Sequence, residues 1–185
     1  MSSDISEKWQ ILSGTTNWEG KLDPLDIDLR RYIIHYGEMA QATYDTFIAE
    51  KKSKYAGASR FSKKDFFSKV GLGMANHPYR YTVTKFIYAT SGIDVPGAFI
   101  LKSLSREAWS KESNWIGYIA VADDETVALL GRREIVIAWR GTIQSLEWVN
   151  DFQFILVDVS DLLGKDKNGF TPSCSSRLVL HLHFW

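Results

Sequence analysis

The sequence contains a single cysteine, Cys174, so no disulfide can form within the chain. A small secreted design held together by disulfides is therefore excluded, and a reducing compartment, the cytoplasm, is the expectation. Net charge is also missing. Twenty-two Lys and Arg balance 22 Asp and Glu, which leaves no field to draw the chain to nucleic acid or to an anionic membrane surface. No window approaches the run of about 18 apolar residues that a membrane-spanning helix needs. The opening "MSSDISEKWQ" carries acidic residues and neither an apolar core nor an Arg-rich stretch of the targeting kind. Prolines number only four, and no repeat, low-complexity tract or Pro/Gly/Ser linker divides the sequence. What is present is apolar material: 45% hydrophobic and 14% aromatic residues in 185, enough for one packed domain and too little length for two large ones.

Helical and extended patterns then succeed one another. Asp23-Pro24 resembles a capping side chain before a proline in the first turn, and Leu29, Ile33, Tyr36, Ala40, Tyr44 and Phe47 recur at helical spacing. They predict a long amphipathic helix ending before Gly57, with "KKSK" (Lys51 to Lys54) as its solvated end near the dipole's negative pole. Asp65 to Val70 predicts a short helix, and "RYTVTKFIYAT" (Arg80 to Thr90) a strand or an extended entry segment. "WIGYIAVA" (Trp115 to Ala122) predicts another, closed by a turn at Asp123-Asp124. Thr126 to Leu130 leads on through Gly131-Arg132-Arg133 to Ile135 to Trp139, and these segments read as neighbouring strands.

"IVIAW" is continuously apolar, which suits a central strand of a parallel sheet with helices on both faces. It ends in Arg140-Gly141-Thr142. Beyond it Ser145 can cap a helix in which Leu146, Val149 and Phe152 fall at helical intervals. Strand, Gly-containing turn and helix form the first half of a βαβ unit, and ligands of open α/β sheets gather at the carboxyl ends of strands. From spacing alone Thr142 reads equally as a helix cap or as a site residue. Arg140 is expected to pair with a carboxylate such as Asp151, and Trp139 and Trp148 to lie in the core.

Four stretches carry a resemblance to a known family: "WQILSGTTNWEGKLDPLDIDLRRYIIHYGEMAQATYDTF", "YTVTKFIYATSGIDVP", "WIGYIAVADDE" and "LGRREIVIAWRGTIQSLEWVNDF". In this order they resemble the plant phospholipase A1 group of the class 3 lipases, serine acylhydrolases of the α/β-hydrolase fold. The resemblance implies a truncated α/β-hydrolase fold, an incomplete and largely parallel sheet flanked by helices, over residues 1–164. It implies an oxyanion-hole role for Thr142, the residue after Arg-Gly, whose backbone N–H faces the negative oxygen of the tetrahedral intermediate. Arg140, Gly141 and Asp151 would be structural at that site. It also implies a phospholipid or other acyl-lipid substrate, cleavage at the sn-1 ester, and no metal or other cofactor.

Acyl transfer of this kind needs a Ser or Cys nucleophile, a base and a group to orient the base. No G-x-S-x-G occurs in the sequence. Ser173, Cys174, Ser175 and Ser176, with His181 or His183, sit in a tail, residues 165–185, expected to be unrelated to the family and irregular or a makeshift strand at "RLVLHLHFW". The expectation is thus a chain cut before its triad and inactive alone, or a non-catalytic isoform that binds lipid or the full-length enzyme. An open sheet edge would invite pairing with another chain. "GLGMAN" (Gly71 to Asn76) lacks the third glycine of a dinucleotide fingerprint, and His181 and His183 lack the ligand spacing of a metal site.

Overall fold

A computed structural model describes residues 3–73, 77–89 and 113–141, together with the short segments 157–158 and 177–178. Two compact units divide the chain, one of Met1–Thr90 with Val95–Arg140 and one of Ser91–Asp94 with Gly141–Trp185.

In the first unit, α1 (Ser3–Leu12) is followed by a turn-rich segment and by α2 (Ile27–Thr46). The residue that starts α2 is Asp26, whose carboxylate accepts from the N–H groups of Asp28 and Leu29 at 2.9 and 3.0 Å. Pro24 lies before it in the turn, after a cis peptide, so the expected Asp23-Pro24 cap is corrected by three residues. Those two amide bonds and Lys21, 2.8 Å away, satisfy both carboxylate oxygens, which a residue further from the helix could not do. The helix also stops earlier than expected, at Thr46, because Phe47 turns extended (φ −73°, ψ 131°). "KKSK" therefore belongs to the turns beyond it, where the Lys54 ammonium lies 4.9 Å from the Tyr55 ring centroid.

The buried face of α2 differs from the predicted stripe. Leu29, His35, Met39, Ala42, Thr43 and Thr46 face inward, whereas Ile33 is 54% exposed. Periodicity weighted by hydrophobicity missed this face because three of its members are polar residues that find hydrogen-bond partners inside the fold. Thr43 and Thr46 hydroxyls donate to the Ala40 and Ala42 carbonyls, and the His35 ring meets the Tyr81 hydroxyl.

Helix α3 (Phe66–Lys69) and strand β1 (Tyr81–Ala89) form where the sequence predicted them. Strand β2 (Asn114–Ala122) does so too. Residues 124 to 130 are a helix, α4 (Asp124–Leu130), and not a further extended stretch: Asp123 caps it by accepting from the Thr126 N–H at 2.8 Å, and Gly131 ends it in the left-handed region (φ 67°). Strand β3 (Ile135–Trp139) then lies beside β2.

The sheet order is β1-β2-β3, and both pairings are antiparallel. The fold is mixed α/β, but the largely parallel sheet expected from "IVIAW" is not what the described residues form. Parallel neighbours need a long crossover, usually through a full helix packed on the sheet. Here the seven-residue α4 returns the chain directly beside β2, with the Ala122 N–H bonded to the Glu134 carbonyl at 2.9 Å. Burial on β3 alternates instead of covering both faces: Ala138 is buried, whereas Ile135, Ile137 and Trp139 are exposed. Trp139 is thus not a core residue; Trp148 lies outside the described residues.

The core sits between the sheet and α2 with α3. Trp115 and Tyr118 of β2 are fully buried against Phe66, at ring centroid distances of 6.1 and 4.7 Å, and the Tyr118 hydroxyl donates to the Met39 carbonyl at 2.9 Å. Gly117, between those two aromatics, has a conformational reason to be glycine: a Cβ there would collide with the carbonyl oxygen of Ala138 on β3.

In the second unit, β4 (Val157–Asp158) and β5 (Arg177–Leu178) pair antiparallel, Val157 opposite Leu178. The pairing brings the start of "RLVLHLHFW" into a short strand; residues 179–185 lie outside the described residues.

Candidate functional site

The end of β3 is fixed by Arg140. Its backbone N–H donates to the Ile116 carbonyl at 2.6 Å and its Nε to the Trp115 carbonyl at 3.1 Å. The guanidinium carbon stands 4.0 Å from the Phe47 ring centroid, and the residue is only 4% exposed. A buried guanidinium is costly unless its donors and its charge find partners. The carbonyl and the ring face supply part of that compensation. The arrangement ties together the start of β2, the end of β3 and the residue after α2, so the chain leaves the sheet at Gly141 from a defined point. Thr142 and Asp151, and with them the oxyanion position, the expected Arg140–Asp151 pair and the helix predicted from Ser145, lie outside the described residues. The same holds for Ser173 to Ser176, His181 and His183.

A second cluster, at the other end of β3, was not anticipated. The Glu134 carboxylate accepts from the Tyr36 hydroxyl at 2.6 Å on one oxygen and from the Tyr81 hydroxyl at 2.5 Å on the other, and Arg132 pairs with it at 2.7 Å. Burial pushes this carboxyl up, but the two hydroxyls and the guanidinium outweigh it and hold Glu134 below the usual carboxylate range. Burial, and then the carboxylate they serve, raise the Tyr36 and Tyr81 hydroxyls above the ordinary tyrosine value. Because Tyr81 donates to Glu134, its oxygen accepts from His35 Nε2 at 3.1 Å, which leaves Nδ1 as the bare acceptor of a neutral ring. Burial, with His77 beside it, lowers the His35 pKa to about 4. This network locks α2 to β1 and β3. The available signal was Glu134, a carboxylate heading an apolar strand.

Among the described residues, no group of three or more His, Cys, Asp or Glu side chains is placed to hold a metal ion.

A mixed α/β core whose strand ends in a buried Arg followed by Gly-Thr has relatives among lipid-ester hydrolases. Over most of its length the chain is homologous to the plant phospholipase A1 family. It is 60% identical over 166 residues to phospholipase A1-IIgamma of Arabidopsis thaliana, covering 89% of this chain and 39% of that protein. It is 54% identical over 167 residues to phospholipase A1-II 6 of Oryza sativa subsp. japonica, 90% of this chain and 40% of that protein. With phospholipase A1-II 7 of Oryza sativa subsp. indica it shares 49% over 187 aligned residues, which span 100% of this chain and 44% of that protein. The chain therefore spans about two fifths of the length of these relatives. No family model matches the sequence.

Proposed function

We propose that this chain is the portion of a phospholipase A1-like acylhydrolase that supplies one oxyanion donor, the backbone N–H of Thr142, for hydrolysis of the sn-1 ester of phospholipids. The observation that carries the reading is the identity of 60% to a phospholipase A1 over 89% of the chain. The described geometry supports it to this extent: Arg140, which directly precedes Gly141-Thr142 in the sequence, is held by the Trp115 carbonyl of β2 and by the Phe47 ring. In this reading the fold beyond the antiparallel strands is that of an α/β-hydrolase, residues 1–164 are its family part, the protein works in the cytoplasm without a cofactor, and Gly141 lets the backbone turn while Asp151 stays structural. The nucleophile and its base are not among the motifs of this sequence, which holds no G-x-S-x-G.

The purified 185-residue chain is therefore expected to release no fatty acid from phosphatidylcholine and to take up no serine-directed fluorophosphonate. Labelling abolished by changing Ser173, Ser175 or Ser176 would overturn this assignment.

A second reading is favoured by one observation, the exposed apolar face of β3, where Ile135 and Ile137 are 65% and 53% exposed. It is a non-catalytic role in which that face associates with another chain, a second copy or a longer relative. Co-purification with the longer relative at a fixed ratio is its test, and a monodisperse monomer that ignores the relative counts against it.

A further inference from the structure

A cavity of about 240 Å³ lies between α2 and the segment just before β1, and rings make most of its wall. Tyr32, His35 and Tyr36 come from α2, and His77 and Tyr79 from the facing segment. These rings do not form one flat slab. Tyr32 meets Tyr36 at an interplanar angle of 73°, His35 meets Tyr79 at 65° and His77 meets Tyr79 at 80°, so their planes bound the space in several directions. Aliphatic side chains would hold a neutral apolar guest equally well. What rings add is a negative face, and that favours a cation.

The polar groups around the cavity favour the same sign. The Tyr36 hydroxyl donates to the Glu134 carboxylate at 2.6 Å, which pushes electron density into the Tyr36 ring. His35 is a neutral imidazole, and its Nδ1 lone pair has no hydrogen-bond partner. Glu38 borders the cavity half-exposed; its ion-pair neighbour among the described residues, His77 Nε2, stands 3.7 Å away, beyond hydrogen-bond distance. Arg31 borders the cavity too, but its guanidinium is directed to Asp28 at 3.4 Å.

We propose that this cavity binds a small alkylated ammonium ion of about the size of choline, its alkyl groups against the Tyr32, Tyr36 and Tyr79 rings and its charge answered by Glu38. The volume is adequate, since roughly 150 Å³ already admits benzene. The site is separate from the proposed ester pocket. Tyr36 reaches Glu134 at the start of β3, and at about 3.3 Å per residue Arg140 lies roughly 20 Å further along the strand. The ion is therefore a free solute and not the headgroup of a lipid held for cleavage, and the inference does not depend on the acylhydrolase reading.

The test is saturation-transfer NMR on the methyl protons of choline in the presence of the 185-residue chain. Choline is expected to bind saturably, and its uncharged tert-butyl analogue about tenfold more weakly. Tyr32→Leu is expected to lower choline affinity about tenfold, whereas Tyr32→Phe keeps the ring and the affinity. Glu38→Gln, at a half-exposed position, lowers it about threefold. Far-UV circular dichroism checks that every variant keeps its helices. Absence of saturable choline binding overturns the proposal, as does equal binding of the uncharged analogue or a loss in Tyr32→Phe as large as in Tyr32→Leu. A preference for glycerophosphocholine over choline would assign the cavity to a lipid headgroup and overturn the free-ion reading.

Discussion

His35 carries the clearest pH signature of the molecule. Its ring is neutral and buried, packed among Tyr36, His77, Tyr79 and Tyr81, with its folded pKa lowered from 6.5 to about 4. The unfolded chain therefore takes up this proton first as pH falls. Stability is full above the unfolded value and declines between about 6.5 and 4, by on the order of 3 kcal/mol, then levels off as the folded ring also protonates. Glu134 acts in the same direction at lower pH, since its folded pKa is depressed and its contribution is lost as pH falls through it. Urea unfolding at pH 7 and pH 4.5 measures the slope, which His35→Gln is expected to flatten; an unchanged slope in that variant would mean His35 is not the group responsible. Tyr81→Phe removes one hydroxyl from Glu134 and the acceptor of His35 together, and a loss of about 1 to 3 kcal/mol is expected by the same measurement.

At the scale of elements, the sequence located α3, β1 and β2 and the end of β3 because their signals are local: β-branched and aromatic runs closed by Asp, Gly or a charge. It misjudged α2 and α4 for a shared reason. Caps at Asp26 and Asp123 are set by which carboxylate reaches the free amide groups, a choice that several nearby aspartates leave open in sequence alone. Strand direction was not legible either, since a continuous apolar run fits a parallel centre and an antiparallel edge equally. The described partners of Arg140, the Trp115 carbonyl and the Phe47 ring, were not legible, because they are joined only by the fold. One element-level expectation follows from Gly117. A methyl there meets the Ala138 backbone, so Gly117→Ala is expected to separate β2 from β3 and cost about 1 to 3 kcal/mol. Hydrogen exchange at the Arg140 amide, whose acceptor is Ile116, reads that separation directly, and protection equal to the unaltered chain would show that the two strands can shift to accept the methyl.

For the whole molecule, a core built around Trp115, Tyr118 and Phe66 holds the end of β3 in place, and homology to phospholipases A1 gives that end a chemical meaning. In the proposed reading this end leads to one oxyanion donor, at Thr142, of an ester-binding pocket, while the sequence holds no G-x-S-x-G for the attacking group. The most direct measurement of that claim places residues 9–163 of this chain into phospholipase A1-IIgamma in place of the matching segment and follows hydrolysis of phosphatidylcholine. The chimera is expected to be active. Thr142→Pro, which deletes the backbone N–H, is expected to lower kcat about a hundredfold with little change in KM, while Thr142→Ser stays near the parent. A Thr142→Pro chimera that keeps its kcat would contradict the account.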